Sequence, residues 1–207
     1  MIKLYGAPFS RAGRAVWMLE EVEQPYEIIS KDPRTGETRS AEMLSLNPNG
    51  HVPVIDDNGT IIWESMAVNL YLADKYQRLM PETAELRGQA YHWSFWAITE
   101  AEAPLLDILM HSMFLPEDQR DPAVAAAGLE TLKTPLAVLD AALTGQDYLL
   151  GSEFTVADLN VCSVLGFAAY IQYDFAPYPA IAGWLDRCNQ RPGAQKMAQL
   201  AMAAMAG

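Results

Sequence analysis

The stretch from Asn47 to Ser65, NPNGHVPVIDDNGTIIWES, constrains the fold of this chain more than any other segment. Two short apolar runs flank Asn58-Gly59, a pair that favours the tight turn of a β-hairpin. Pro53 has no N–H and a fixed φ, so it suits this position best if the Val52–Pro53 bond is cis. A cis bond would turn the N–H and C=O of Val52 outward, where an extended peptide could pair with them.

The pair Glu64-Ser65 follows the second apolar run and opens a helical pattern of apolar residues at positions 68, 71, 72 and 76. The free N–H groups at the start of such a helix can hold a carboxylate. Ser65 could instead serve only as a helix cap. The whole stretch therefore suits an anion that resembles a peptide.

The residues before this stretch predict an α/β unit. Ile2–Tyr5 and Tyr26–Ile29 are short apolar strands, and the apolar residues between Ala12 and Glu21 have helical spacing. A strand, a helix and a second strand in this order form a parallel pair. A short helix over 41–46 and the hairpin then complete the order βαβαββα. In open sheets of this kind ligands bind beyond the carboxyl ends of the parallel strands, where Ser10 lies.

Val52-Pro53 followed by Glu64-Ser65, in this order of elements, resembles the glutathione-binding half of the cytosolic glutathione transferase family. The segment PFSRAGR, which contains Ser10 and Arg14, is similar to the serine-type, theta-like bacterial members. The resemblance extends over nearly the whole chain. It implies an α/β plus all-α fold, in which a thioredoxin-like N-terminal domain precedes an all-helical C-terminal domain.

The resemblance and a change in composition place the domain boundaries. We expect a glutathione-binding domain over 1–78, a linker over 79–85 and the helical domain over 86–207. In the helical part, Thr155 with Asp158 predicts a capping box, which is also a hallmark of the family. We expect both residues to be structural, although an aspartate could also be offered as a general base.

Ser10 is the residue that we expect to carry the chemistry. A hydroxyl at the N-terminus of the first helix can donate a hydrogen bond to a thiolate, and the helix-end amides add to this effect, so the pKa of the thiol falls. A serine here could also be only a helix cap. Tyr5 is an alternative hydroxyl, although the strand pattern favours its packing. Arg11 or Arg14 could face the sulfur, or could be exposed or packed against the helix.

The resemblance implies further contacts with glutathione. The backbone of Val52, set by Pro53, would pair with the cysteinyl part, while Glu64 and Ser65 would hold the γ-glutamyl amine and carboxylate. His51 occupies a position where relatives often place a lysine near the glycine carboxylate.

Two other sets of residues are candidates around the same ligand. Thr38 and Arg39 are candidates for contact with the glycine carboxylate in addition to His51. The residues that the resemblance suggests for the second, hydrophobic substrate are Phe9, Arg11, His111 and Met113.

Charge and composition exclude several other classes of protein. The formal net charge of −12 argues against binding to nucleic acid or an anionic membrane. No apolar run approaches the roughly 20 residues that cross a bilayer. The cysteines, Cys162 and Cys188, form no disulfide framework and fit a reducing cytoplasm. The three histidines show no ligand-pair spacing, so we expect no metal site.

Together with the cysteine content, the resemblance thus implies a cytoplasmic, homodimeric glutathione transferase, with glutathione as co-substrate and a small hydrophobic electrophile as acceptor. One alternative is a glutathione-dependent isomerase, reductase or dehalogenase, which would use the same thiolate. Another is a non-catalytic binding or regulatory protein. Loss of Ser10, Val52-Pro53 or Glu64-Ser65 would have favoured that reading, and all of them are present.

Overall fold

The computed structural model describes residues 1–206, which form two compact units. The first unit contains Met1–Met80 together with residues 189–206, and the second contains Pro81–Cys188. The α-helices are α1 (Ala12–Glu21), α2 (Ala41–Leu46), α3 (Ser65–Tyr76), α4 (Ala84–Trp96), α5 (Glu102–Leu109), α6 (Pro122–Leu143), α7 (Val156–Leu165), α8 (Pro179–Asn189) and α9 (Pro192–Ala206). The predicted fold class, an α/β part followed by a helical part, is confirmed.

The first unit is built on a four-stranded sheet with the order β2-β1-β3-β4. Its strands are β1 (Ile2–Tyr5), β2 (Tyr26–Ile29), β3 (Val54–Asp57) and β4 (Thr60–Trp63). β1 and β2 are parallel, and β3 is antiparallel to both β1 and β4. The hairpin turns at Asn58 and Gly59, whose φ angles of 53° and 95° suit this pair of residues. The predicted βαβ unit and hairpin are therefore confirmed.

Helix α1 is the central helix of this unit, because it packs against β1, α3 and α9. Apolar side chains of α1, including Val16 and Leu19, are fully buried together with Leu4 and Leu72. The final helix α9, which the sequence assigned to the helical domain, packs with the first unit. The predicted domain limits at 78 and 86 stay a prediction.

The second unit is helical. Helix α4 continues through a π-helical segment, Ala97–Ala101, into α5, and a second π-helical segment, Met110–Phe114, follows. Pro104 has no N–H to give to the preceding turn, and the first π-helical segment ends at Ala101, three residues before it. No helix within residues 1–206 is both long and apolar enough to cross a bilayer.

Thr155 and Asp158 form the predicted capping box at the start of α7. The buried carboxylate of Asp158 also accepts hydrogen bonds from the Leu149 N–H at 2.8 Å and the Trp184 indole N–H at 2.9 Å. Burial raises the pKa of Asp158, although these hydrogen bonds favour its charged form. Asp158 therefore links the segment of Leu149, the start of α7 and helix α8, because its carboxylate accepts hydrogen bonds from all three.

Candidate active site

Ser10 lies between the carboxyl end of β1 and the first turn of α1. Its hydroxyl donates a hydrogen bond to the Ala7 carbonyl at 2.7 Å and accepts one from the Ala12 N–H at 3.1 Å. The oxygen therefore accepts from the first N–H of α1, one residue before the N-cap Arg11, while its proton is donated to a backbone carbonyl of the same loop. Rotation of this proton away from Ala7 would leave the hydrogen bond from Ala12 intact, so this contact and donation to an incoming anion are compatible.

Tyr5, the alternative hydroxyl, is 7% exposed and packs against Met43 and Val54. This agrees with the packing that the strand pattern favoured. Its place in the core leaves Ser10 as the hydroxyl at the loop.

Arg14 is buried, and its Nη1 donates a hydrogen bond to the Ser65 hydroxyl oxygen at 3.3 Å. The first turn of α1 thereby meets the first residue of α3. Arg11 is half-buried at the N-cap of α1. Of the two arginines, Arg14 is thus packed, and it places a positive charge next to Ser65.

The Val52–Pro53 bond is cis, as predicted. Within the described residues, neither the N–H nor the C=O of Val52 makes a hydrogen bond, although β3 begins only two residues later, at Val54. The Val52 side chain packs against a buried cluster that includes Tyr5 and Met43. Val52 therefore has a fixed side chain and a free peptide edge.

Glu64 and Ser65 begin α3 in an unusual conformation. Glu64 has a φ of 73°, which is uncommon for a residue other than glycine and is more frequent at functional sites. Ser65 is 6% exposed, and the N–H groups of residues 65–67 have no acceptor within the described part of the chain. The start of α3 therefore offers unpaired donors, with the exposed Glu64 carboxylate beside them.

Gly6 brings two of these elements together. A Cβ added at Gly6 would lie 2.6 Å from the Ala12 Cβ and 3.0 Å from the Val52 Cβ. The absence of a side chain therefore allows the segment of Val52 to approach the first turn of α1. Arg14 joins the same turn to Ser65. One end of α1 is therefore surrounded by Ser10, Val52 and Ser65.

His51 is exposed in a turn that Asn47 closes. The Asn47 side chain donates to the His51 carbonyl at 2.9 Å, and the Gly50 N–H donates to the Asn47 carbonyl at 2.9 Å. The Arg39 side chain lies beside this turn, since its Nε would be 3.1 Å from a Cβ at Gly50. Thr38, the other candidate in its loop, is buried. The structure therefore brings Arg39 to the turn that carries His51.

Phe9, a candidate for the second substrate, lies under Arg34. The Arg34 Cζ is 4.3 Å from the centre of the Phe9 ring, and both carboxylate oxygens of Asp32 accept hydrogen bonds from the guanidinium. The sequence did not single out Arg34. The short spacing between Asp32 and Arg34 was its only local signal, and it gave no reason to expect the contact with Phe9.

His111 and Met113 belong to the second unit, in the π-helical segment Met110–Phe114. The Nδ1 of His111 accepts a hydrogen bond from the Asp121 N–H at 3.0 Å, which fixes its ring. Met113 is exposed, and so is Phe114, whose ring meets Tyr170 edge-on at 6.0 Å. Phe114 and Tyr170 thus extend the apolar surface around the predicted Met113.

Metal-binding side chains are not gathered in this region. Residues 1–206 contain no group of three or more His, Cys, Asp or Glu side chains placed to hold a metal ion.

The fold and the arrangement around α1 define the class of protein, a thioredoxin-like domain joined to a helical domain. Residues 1–74 match the family model of the glutathione S-transferase N-terminal domain, and residues 102–192 match that of the C-terminal domain. The chain belongs to the glutathione S-transferase family of enzymes.

Individual relatives agree with this assignment. Glutathione S-transferase GstB of Escherichia coli K12 is 31% identical over 205 residues, which cover 97% of this chain and 99% of the relative. The solved theta class glutathione S-transferase of Xanthomonas axonopodis pv. citri, with glutathione bound, is 30% identical with a TM-score of 0.86, and the match covers 94% of this chain and 95% of that one. A glutathione S-transferase-I bound with lactoylglutathione is 32% identical with a TM-score of 0.85, over 96% of this chain and 99% of that one.

Proposed function

We propose that this protein is a glutathione transferase in which Ser10 stabilises the thiolate of bound glutathione. The thiolate attacks an electrophilic carbon of a small hydrophobic compound. A sulfur–carbon bond forms, the thiol proton is released to solvent, and the electron pair of the acceptor moves to its leaving group or to an adjacent atom. The protein acts in the cytoplasm as a homodimer.

The observation that carries this proposal is the convergence of Val52, Ser10 and Ser65 on the first turn of α1. The free N–H and C=O of Val52 are suited to pair with the cysteinyl peptide unit of glutathione, in the manner of an added β-strand. That pairing would hold the cysteinyl sulfur at the end of β1, next to the Ser10 hydroxyl. Gly6 supports the arrangement, because it gives Val52 room beside α1.

The γ-glutamyl end is proposed to bind at the start of α3. Its carboxylate accepts from the unpaired N–H groups of residues 65–67 and the Ser65 hydroxyl, where the helix dipole and the Arg14 charge both favour an anion. Its amine pairs with the exposed Glu64 carboxylate. The glycine carboxylate at the other end lies near His51, with Arg39 as a second cation beside that turn.

Thiolate stabilisation then follows from two contributions at the first turn of α1. The Ser10 hydroxyl donates a hydrogen bond to sulfur once its proton leaves the Ala7 carbonyl. The amides at the start of α1 add partial positive charge. Both effects lower the pKa of the bound thiol, so the fraction of nucleophile at neutral pH rises.

The second substrate is proposed to contact two groups of residues. Phe9 and Arg11 lie in the loop that carries Ser10, and the candidates in the helical unit are His111, a polar ring, and Met113, an exposed apolar side chain. The ring of Phe114 extends the apolar surface around Met113.

The test is the ultraviolet absorbance of bound glutathione thiolate as a function of pH, in the wild type and in Ser10→Ala. We expect a thiol pKa well below that of free glutathione in the wild type and a return toward the free value in the variant. Ser45→Ala is the matched control, because Ser45 also donates to the carbonyl three residues earlier, on the exposed helix α2. An unchanged pKa in Ser10→Ala would exclude the role of Ser10, and a wild type that binds no glutathione would exclude the function.

A further inference from the structure

The final helix is attached to α1 by a buried carboxylate. Glu21, at the end of α1, accepts from Arg191 Nε at 2.8 Å through Oε1 and from Arg191 Nη2 at 2.6 Å through Oε2. The indole N–H of Trp17 donates to the same Oε1 at 3.0 Å. The Glu21 side chain is 7% exposed and that of Arg191 28%, so the pair is largely shielded from solvent.

Two glycines show how closely the helices approach. A Cβ at Gly193 would lie 3.0 Å from both the Glu21 Oε1 and the Trp17 Cδ1. A Cβ at Gly13 would lie 3.4 Å from the Met197 sulfur. Helix α9 therefore contacts α1 near both of its ends, with Arg191 at the end far from Ser10 and Met197 at the near end.

The near end of α1 is in direct contact with the loop that carries Ser10. A Cβ at Gly13 would lie 2.4 Å from the Pro8 carbonyl oxygen, and the Gly13 N–H donates to the Ser10 carbonyl at 2.9 Å. The Ser10 hydroxyl is itself held by backbone groups of residues 7 and 12. A shift of α1 along α9 would consequently move the hydroxyl relative to the sheet and to Val52.

We propose that Arg191 is a positioning residue, which holds α1 against α9 through Glu21 and thereby sets the position of the Ser10 hydroxyl for the thiolate. This inference rests on the proposed function. It assigns a role in the reaction to the last helix of the chain, at a distance from the reacting sulfur.

The chemistry of the pair supports orientation over stability alone. Removing a carboxylate and a guanidinium from water is costly, and well-packed apolar side chains of similar size often stabilise a protein as well or better. What an ion pair adds is geometry, since a guanidinium with two parallel hydrogen bonds fixes both the distance and the rotation of its partner. Here that geometry determines where α9 begins relative to the end of α1.

The proposal is tested with Arg191→Met, Arg191→Lys and Glu21→Gln. For each folded variant, the pKa of bound glutathione thiol is measured together with the KM for glutathione and kcat, with 1-chloro-2,4-dinitrobenzene as the electrophilic probe. Arg78→Met is the matched control, because Arg78 pairs with Glu23 just beyond the end of α1 but is exposed. Thermal unfolding is recorded for all of them, so that a loss of stability is separated from a change in the site.

We expect the thiol pKa to rise in Arg191→Met and kcat to fall about tenfold, since small displacements of a reacting group have effects of up to about a hundredfold. The KM for glutathione should change less than kcat, because the glutathione contacts at Val52 and at the start of α3 meet α1 only indirectly, through Gly6 and through Arg14. Arg191→Lys keeps the charge but loses the paired hydrogen bonds, so its thiol pKa and kcat should lie between those of the wild type and those of Arg191→Met. Arg78→Met should match the wild type.

An unchanged thiol pKa and kcat in folded Arg191→Met would overturn the positioning role. If that variant does not fold, Arg191→Lys and Glu21→Gln decide by the same criterion. The proposed function fails separately, when the wild type itself shows no bound thiolate. A wild type whose thiol pKa is low and responds to Ser10→Ala, but not to the Arg191 variants, would refute only the positioning role.

Discussion

The Nη1 of Arg14 lies 3.3 Å from the hydroxyl oxygen of Ser65, and both residues are buried. The residues are 51 positions apart in the chain. Their contact joins the start of α1 to the start of α3, and it places a positive charge beside a helix N-terminus that already favours anions. An anionic ligand at Ser65 would therefore depend on Arg14.

Arg14→Met should weaken glutathione binding. We expect the half-saturating concentration to rise about tenfold, equivalent to about 1.4 kcal/mol, since a charge near the proposed position of the γ-glutamyl carboxylate is lost. The measurement is calorimetric titration with glutathione. Arg78→Met, at an exposed ion pair of the same unit, should bind as the wild type does. Equal affinity in a folded Arg14→Met protein would show that this charge does not serve the ligand.

Gly13→Ala should destabilise the protein, against the usual trend for a helix. Alanine normally stabilises a helix by about 1 kcal/mol relative to glycine. At Gly13, however, the new Cβ would lie 2.4 Å from the Pro8 carbonyl oxygen, so we expect a loss of about 1 to 3 kcal/mol. Gly88→Ala in α4 is the control, because no atom lies within 4 Å of its added Cβ. Urea unfolding should show a lower free energy of unfolding for Gly13→Ala and a higher one for Gly88→Ala. Changes of the same sign would contradict the close approach of Gly13 to Pro8.

Asp158→Ala should be among the most damaging single changes in the helical unit. It removes the acceptor for the N–H groups of Leu149, Thr155 and the Trp184 indole. A buried donor left without an acceptor costs about 1 to 3 kcal/mol, so the total loss should be about 3 kcal/mol or more. Thr83→Ala, which removes an exposed cap from α4, should cost only about 1 kcal/mol. Chemical denaturation measures the free energy of unfolding of both variants. Similar losses in Asp158→Ala and Thr83→Ala would refute a central role for Asp158.

Asp57 should make the stability depend on pH in the acid range. Burial by itself raises the pKa of Asp57, but hydrogen bonds from Lys75 and Tyr71 outweigh it, so the pKa lies below its usual value. A carboxyl group with a lowered pKa stabilises the fold above its unfolded value of about 3.9, and this contribution is lost as the pH falls through the folded pKa.

The corresponding measurement compares the wild type with Asp57→Asn. At pH 7 the variant should be less stable by about 1 to 3 kcal/mol, because the hydrogen bonds to the carboxylate are weakened. The difference should shrink as the pH is lowered below about 4, where the wild-type carboxyl also becomes neutral. Asp186→Asn, at an exposed site, should show no such trend. A difference that stays constant down to acid pH would exclude the ionised carboxylate as its cause.

The local signals of the sequence were sufficient for much of the fold. Asn58-Gly59 predicted the hairpin, Val52-Pro53 the cis bond, and Thr155 with Asp158 the capping box, and each is present. These features depend on the backbone chemistry of neighbouring residues, which the sequence displays directly. The strands and α1 were predicted for the same reason, since their periodicity is local.

The family resemblance supplied the candidate site, but the residues alone left its roles open. A serine at the start of a helix can be a cap or a donor to a ligand, and in the structure the Ser10 hydroxyl accepts from the Ala12 N–H and donates to the Ala7 carbonyl. Sequence spacing could not show that both roles are compatible. The roles of Ser10, His51, Val52, Glu64 and Ser65 remain predictions until they are measured.

By itself the sequence determined the strands, helix α1 and the turns, because these follow from interactions within a few residues, and its resemblance to a known family implied the class of fold. The tertiary structure alone decided which residues the charged side chains contact. Arg14 pairs with Ser65, Arg34 covers Phe9, and Arg191 reaches Glu21 across 170 positions of the chain. Charged side chains have no periodic pattern that names a partner, so such pairs become visible only when packing has brought distant helices together.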